Sequence, residues 1–166
     1  SGVPDAKTSK EAKDVRKKEF GEAANVLGIQ KYRFLDIPDR GFTYSRRALH
    51  ALIKALRETQ PMAIWFPHID DGDIEHREVH RLVREAEWMA AGVYFPELGH
   101  PIPQIEYLVC YEVWTPIVHP QVKVDITNVR ERKEAAMRCY RSQLRRAAYD
   151  TAIMGLNAYR GSKTSE

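Results

Sequence analysis

The chain has 166 residues, which is enough for one sizeable core and short for two, so we predict a single domain. Hydrophobic residues make up 43% of it and charged residues 30%, and this composition excludes wholesale disorder. The net charge of +3 is too small to indicate a nucleic-acid binder, and we expect no nucleic-acid partner. No apolar stretch approaches the roughly 20 residues of a membrane span, no signal peptide is visible and the two cysteines have no CxxC spacing, so a cytoplasmic protein without a membrane span is expected.

Periodic apolar residues and turn signals predict strands that alternate with helices. This order indicates an α/β fold with a mostly parallel sheet, formed by one domain over residues 10–161. In chain order, the predicted elements are a flexible stretch over 1–9, a helix over 9–27, a strand over 32–35, a helix over 45–58, a strand over 62–66, a third helix that follows His76 and stops at Gly92, strands over 105–113 and 122–126, and helices over 129–142 and 147–159.

The loop after the predicted strand 62–66 concentrates groups that can bind a metal. Ligands of such folds bind outside the carboxyl ends of the strands, which is where this loop lies. Histidine with carboxylate is the ligand set of a catalytic zinc, whereas the plainer interpretation is a solvated acidic loop before a helix with an acidic first turn. Within thirteen positions the loop and the helix after it carry His68, Asp70, Asp71, Asp73, Glu75, His76 and His80.

His76 and His80 are spaced like the two histidines of a zincin metalloprotease. That motif needs a glutamate directly after the first histidine, and this position holds Arg77. Glu78 points about 200° away from His76 on a helix. A zincin site is therefore not expected, and His80 is expected on the helix surface or the substrate side.

A series of short motifs runs through the chain in a fixed order. Each motif is weak alone, but together they resemble the LmbE-like or PIG-L family of zinc-dependent N-deacetylases, which remove acetyl from N-acetylglucosaminyl groups. The motifs are Arg16-x-x-Glu19 with Ala23 and Leu27-Gly28, Leu35-x-x-Pro38-Asp39 with Gly41, Pro67-x-x-x-Asp71-Gly72-Asp73-Ile74-Glu75-His76-Arg77, Val124-Asp125-Ile126-Thr127, Lys133-x-x-Ala136, Tyr140-x-Ser142-Gln143 and Tyr159-Arg160-Gly161.

The resemblance implies a three-layer, Rossmann-like sandwich and hydrolysis of an N-acetylglucosaminyl-type small molecule or glycan with Zn²⁺ as cofactor. It implies that His76 is a metal ligand, that Asp73 and Glu75 occupy catalytic positions, and that Arg16 and Asp39 bind substrate. Arg16 could instead form only a helix-surface pair with Glu19, and Asp39 could serve only its turn. We expect His76, Arg16 and Asp39 to share one site. Homo-oligomer formation is left open.

One departure from the family concerns its first metal motif, A-H-P-D-D-E. That motif supplies a His and an Asp as zinc ligands and a further Asp as general base, and by the order of motifs this chain begins after it. We therefore expect a domain that is incomplete at both ends. One imidazole cannot hold zinc, so His76 should bind it only together with those two ligands, and the 166 residues alone should bind it weakly or not at all.

The other departure lies in the second motif, which reads Asp73-Ile74-Glu75-His76 where the family has H-P-D-H. The first histidine of that motif is thought to stabilise or protonate the tetrahedral intermediate, and an ionised Asp73 would repel a developing oxyanion. The alternative function is therefore a non-catalytic carbohydrate-binding or pseudoenzyme domain. A nucleic-acid module is a third hypothesis, although such a charge run is usually a solvated helix face; it would use Arg138, Arg141, Arg145 and Arg146.

Overall fold

A computed structural model describes residues 8–37 and 40–163 of the chain. Most of the predicted flexible stretch over 1–9 lies outside these residues, and so does Asp39. The chain forms two compact units, which consist of residues 34–120 and of residues 1–33 with 121–166.

Six helices and two strands are defined in the part of the chain that the structure describes. The helices are α1 (Ser9–Leu27), α2 (Arg46–Thr59), α3 (Ile74–Ala91), α4 (Arg130–Arg138), α5 (Arg141–Leu144) and α6 (Tyr149–Gly161). The strands are β1 (Ala63–Pro67) and β2 (Tyr107–Tyr111), and two single 3₁₀ turns cover Pro96–Leu98 and Thr127–Val129.

The unit of residues 34–120 is built on a β1–α3–β2 crossover. The two strands run parallel, with Ala63 opposite Tyr107 and Pro67 opposite Tyr111. Parallel neighbours need a long connection, and α3 supplies it. The parallel pairing with interleaved helices confirms the predicted α/β class.

The core of this unit lies between α2, α3 and one face of the sheet. Ile53 on α2 and Ala86 on α3 are both fully buried. Complete burial of a side chain such as Ile53 stabilises the fold by about 1.5–3 kcal/mol. The buried cluster consists of Ala48, Leu49, Ile53, Leu56, Leu82, Ala86, Ala90, Ile102 and Ile105.

Arg57, which lies on the neighbouring helix α2, caps the carboxyl-terminal end of α3. Its side chain is 5% exposed, and its guanidinium donates only to backbone carbonyls. A cation at this end also complements the helix dipole. The acceptors lie 2.7–3.3 Å away, in the last turn of α3 and the loop after it, and belong to Met89, Ala90, Gly92, Tyr94, Phe95 and Gly99.

In the other unit the predicted helix over 129–142 is interrupted at residues 139–140, and that prediction is wrong near its carboxyl-terminal end. Tyr140 has φ −82° and ψ 56°, which is not helical. The buried Glu19 carboxylate of α1 accepts from the Ser142 N–H at 2.6 Å and from the Ser142 hydroxyl at 2.7 Å. The Ser142 N–H is therefore engaged by a tertiary contact, which ends α4 and starts α5.

The strands predicted over 32–35 and 122–126 are wrong, because neither segment forms a strand. Val122 and Val124 are 67% and 72% exposed, so this segment has no apolar surface to pack against. Strand propensity mostly measures fit to a half-buried sheet, and neither segment is in such a sheet.

The cap residues account for the helix boundaries. Thr8 accepts from the Glu11 N–H at 3.1 Å, and Gly28 ends α1 in the left-handed region with φ 73°. Helix α3 starts at Ile74, ahead of its predicted start, because Asp73 caps it. None of the helices in the described ranges is long and apolar enough to cross a membrane.

Candidate functional site

The buried carboxylate of Asp71 organises the loop between β1 and α3. Asp71 is 1% exposed. Its Oδ1 accepts from the Asp73 N–H and from Nδ1 of His76, both at 2.9 Å. Its Oδ2 accepts from the N–H groups of Trp114 at 2.9 Å and Thr115 at 3.2 Å. One carboxylate therefore joins the start of α3 to the segment that follows β2.

The donors around Asp71 keep it ionised. Burial alone would raise the pKa of this carboxyl, but the backbone N–H groups of Asp73, Trp114 and Thr115 and the His76 ring outweigh burial and lower the pKa to about 2. An ionised carboxylate can only accept hydrogen bonds, so Nδ1 of His76 carries the proton that is shared with Asp71.

His76 is oriented for ligation by this contact. With the proton on Nδ1, the lone pair of the neutral ring lies on Nε2. The side chain is 27% exposed, so the ring is held on one side and accessible on another. A metal-binding histidine usually donates the N–H of its other ring nitrogen to a group such as a carboxylate, which fixes the orientation of the ring.

Asp73 is both the N-cap of α3 and one partner of an ion pair. Its Oδ1 accepts from the Glu75 N–H at 2.9 Å, and its Oδ2 lies 3.0 Å from Nη1 of Arg40. The Glu75 N–H is the main cause of a lowered Asp73 pKa, and the Arg40 guanidinium lowers it further. Asp73 is therefore a carboxylate whose charge is neutralised by Arg40.

Three further side chains near the loop, Glu75, His68 and His80, contact backbone groups. Glu75 Oε1 accepts from the Phe42 N–H at 3.0 Å. Nε2 of the buried His68 lies 2.7 Å from the Thr115 carbonyl, and Nδ1 of His80 lies 2.9 Å from the Pro67 carbonyl. In these positions His68 and His80 hold carbonyls of their own unit.

The described residues do not form a complete metal site. Within 8–37 and 40–163 there is no group of three or more His, Cys, Asp or Glu side chains that could hold an ion. Asp71 is already saturated with donors, and His68 is engaged with a carbonyl. His76 is therefore the one sequence-predicted ligand, and its neighbours do not complete its coordination.

Arg16 lies on α1 in the other unit. Its Nη1 is buried and has no hydrogen-bond partner among the residues described, and it lies 3.9 Å from Oε2 of Glu19. The guanidinium stacks over the Tyr140 ring at 5.5 Å. Glu19 is itself committed to Ser142, so its pairing with Arg16 is weak. The proximity of Arg16 and Asp39 to His76 stays a prediction, because Asp39 lies outside the described residues and Arg16 belongs to the other unit.

Sequence reasoning missed two residues of the site, Asp71 as the support of His76 and Arg40 as the partner of Asp73. The signal for Asp71 was a carboxylate shortly after a buried strand and five residues before the candidate ligand. No local signal marks Arg40, because its contact with Asp73 spans 33 positions. Asp125, which belongs to the Val124-Asp125-Ile126-Thr127 motif, accepts from the Thr127 N–H and hydroxyl.

Three solved structures resemble this chain over most of its length. The conserved protein TT1542 from Thermus thermophilus is 29% identical with a TM-score of 0.77, and the match covers 90% of this chain and 67% of that one. The N,N'-diacetylchitobiose deacetylase from Pyrococcus horikoshii is 28% identical with a TM-score of 0.77, over 86% of this chain and 55% of that one. This chain therefore spans only about half of that deacetylase.

A third structure supports the fold alone. GalB, the 4-carboxy-2-hydroxymuconate hydratase from Pseudomonas putida KT2440, is 24% identical with a TM-score of 0.79, over 99% of this chain and 71% of that one. These likenesses, with the parallel sheet and the crossover helix, confirm an α/β sandwich of the LmbE-like type.

The family itself is identified by sequence. The model of the PIG-L family, described as GlcNAc-PI de-N-acetylase, matches residues 1–87, which is more than half of the chain. The matched range contains Arg16, the Asp71–His76 loop and the start of α3. The chain belongs to the PIG-L, or LmbE-like, family of de-N-acetylases, as its motifs indicated.

Proposed function

We propose that this chain forms part of a zinc-dependent hydrolase that removes acetyl from an N-acetylglucosaminyl-type substrate. The observation that carries the proposal is the Asp71–His76 pair, in which a buried, ionised carboxylate fixes the imidazole with Nε2 available. Membership in a family of de-N-acetylases and the 28% identity to a diacetylchitobiose deacetylase support the reaction class.

The described residues would offer zinc one preoriented ligand, which is His76. A catalytic zinc takes three protein ligands and keeps one position open. His76 would supply one of them, and the other two would be the His and the Asp of an A-H-P-D-D segment, as the family resemblance implies. When bound, zinc would lower the pKa of a water towards ~7 and polarise the acetamide carbonyl.

The chain's own residues would orient the groups around that reaction. Asp71 holds His76, and Glu75 fixes the segment of residues 40–42 through the Phe42 N–H. The Arg16 guanidinium, on a side chain that is 42% exposed, would donate to a sugar hydroxyl. Asp39 would accept from a substrate hydroxyl, as the family resemblance implies.

Acetate release tests this proposal. The polypeptide that includes an A-H-P-D-D segment should release acetate from N,N'-diacetylchitobiose or N-acetylglucosamine when zinc is present. A chelator should abolish the release, and added zinc should restore it. His76→Ala should lower turnover by at least about 100-fold, since loss of a ligand removes the metal chemistry. His80→Gln, one turn further along α3, is the matched control and should stay active.

A non-catalytic carbohydrate-binding or pseudoenzyme domain is the second candidate. It is favoured by Asp73, which is ionised, capped and paired with Arg40 where the family has a histidine. This alternative predicts that N-acetylglucosamine binds without acetate release, equally with and without zinc. Substrate binding that is retained in His76→Ala with no turnover in any variant would establish it.

A further inference from the structure

The replacement of the family's histidine by Asp73 removes the side chain that the resemblance places beside the developing oxyanion. In amide hydrolysis the water oxygen adds to the carbonyl carbon, and an electron pair moves onto the carbonyl oxygen, which becomes an oxyanion. A fixed positive group beside that oxygen is a large source of rate enhancement. Asp73 cannot supply it, because its pKa is lowered and it is negative at neutral pH.

The structure brings a different cation to this position. Nη1 of Arg40 lies 3.0 Å from Oδ2 of Asp73, which stands three residues before His76. Residues three apart at the start of a helix lie on the same side, so Asp73 and the Arg40 head group are on the His76 side of α3.

The segment that carries Arg40 is held at two points. Asp73 binds the Arg40 side chain, and Glu75 binds the Phe42 N–H at 3.0 Å. Arg40 itself has φ +60°, a backbone conformation that a residue with a Cβ rarely adopts. Its side chain is 66% exposed, so donors that Asp73 does not use face solvent, where a substrate can reach them.

We infer that Arg40 is the oxyanion-stabilising catalytic residue of this chain, with Asp73 as the residue that positions it. The inference rests on the proposed deacetylase function. Arg40 and Asp73 together take the place of one histidine, because the carboxylate at the histidine's position holds a guanidinium at the site.

A guanidinium and an imidazolium differ in one respect that experiment can detect. Arginine keeps its proton at all accessible pH values, so Arg40 can donate hydrogen bonds but cannot act as an acid. When the oxyanion collapses and the C–N bond breaks, the amine nitrogen must receive the proton that the carboxylate base took from the water. Arg40 therefore stabilises charge only, and that proton returns from the base.

Binding of a charged analogue is the first test. The methylphosphoramidate of glucosamine carries a tetrahedral P–O⁻ where the reaction develops its oxyanion, whereas N-acetylglucosamine is neutral there. Calorimetry on the zinc-loaded polypeptide should show that Arg40→Ala weakens analogue binding by roughly 10- to 100-fold, the range for a hydrogen bond to a charged group. Binding of N-acetylglucosamine should change by less than about threefold, because that ligand lacks the charge.

Rescue kinetics are the second test. Arg40→Ala should lower kcat by about 100-fold with little change in KM, and Arg40→Lys should be intermediate. Adding Asp73→His to Arg40→Ala should restore part of kcat. The activity of the rescued enzyme should fall as pH rises through the range in which an imidazolium loses its proton. The pH profile of the wild type should not show this fall. Arg138→Ala removes an equally exposed arginine paired with Glu134 and should have no effect.

The two tests separate this inference from the proposed function. If the wild type releases no acetate but Arg40→Ala still loses analogue affinity selectively, the deacetylase proposal fails and the anion site at Arg40 stands. If Arg40→Ala binds the analogue as the wild type does, or keeps its kcat, the role of Arg40 is refuted whatever the wild type catalyses.

Discussion

At the scale of single residues, Asp71 shows how one buried side chain orders a loop from two directions. Its four hydrogen bonds come from Asp73 and His76 on one side and from Trp114 and Thr115 on the other. The motif predicted His76 as the ligand, but the partners of Asp71 lie up to 44 positions away. The motif therefore indicated His76 as a candidate ligand, a role that stays a prediction, and did not indicate the group that orients it.

The Asp71 carboxylate should make stability depend on acid pH. Its folded-state pKa of about 2 lies below the unfolded value, so its contribution is complete above about pH 4 and is lost as pH falls towards 2. The shift corresponds to about 2 kcal/mol. The free energy of unfolding in urea should be measured against pH for the wild type and for Asp71→Asn. The difference between the two proteins should shrink by this amount as pH falls from about 4 towards 2.

The exposed neighbour Asp70 provides the control for that measurement. Asp70→Asn should give a stability curve parallel to that of the wild type between about pH 5 and 2, within about 0.5 kcal/mol. A constant difference between wild type and Asp71→Asn across this range would contradict the assignment of a low pKa.

Arg57 should be the most sensitive basic residue of α2. Arg57→Met keeps the aliphatic stem but leaves six backbone carbonyls without their donor, so the free energy of unfolding should fall by roughly 2–4 kcal/mol. Arg57→Lys should rescue little, because an ammonium has three donors and no fork. Chemical denaturation measures both, with the exposed Arg47→Met as control. Equal stabilities of Arg57→Met and Arg47→Met would contradict the role of Arg57.

At the scale of elements, periodicity predicted what local sequence determines. Helices α1 and α2 appear within a residue of their expected bounds, because an apolar stripe and a capping residue specify each of them. Strand β1 follows from a short apolar run after Pro61. The strand predictions over 32–35 and 122–126 were wrong because a strand needs a paired neighbour, which no local pattern reveals.

The break between α4 and α5 is a tertiary effect and should respond to Glu19. Glu19→Ala leaves the Ser142 N–H and hydroxyl without their acceptor, so amide hydrogen exchange at Ser142 should accelerate strongly. The free energy of unfolding should fall by roughly 2–4 kcal/mol. Glu134→Ala, which removes a surface pair with Arg138, should change it by less than about 1 kcal/mol. Unchanged exchange at Ser142 in Glu19→Ala would show that the break is intrinsic to residues 139–140.

At the scale of the whole molecule, the chain matches only part of the length of its structural relatives. It spans 67% of the Thermus protein and 55% of the Pyrococcus deacetylase. His76 is preoriented by Asp71, and the described residues add no group of three ligands around it. We therefore propose that His76 binds zinc together with the His and the Asp of an A-H-P-D-D segment.

Zinc content, measured by elemental analysis after zinc loading and removal of excess metal, tests this claim most directly. The polypeptide that includes an A-H-P-D-D segment should hold about one zinc per chain, because three protein ligands then surround it. His76→Ala should lose the metal, and His80→Gln should keep it. A metal-free wild type, or a His76→Ala variant that retains its zinc, would contradict the account.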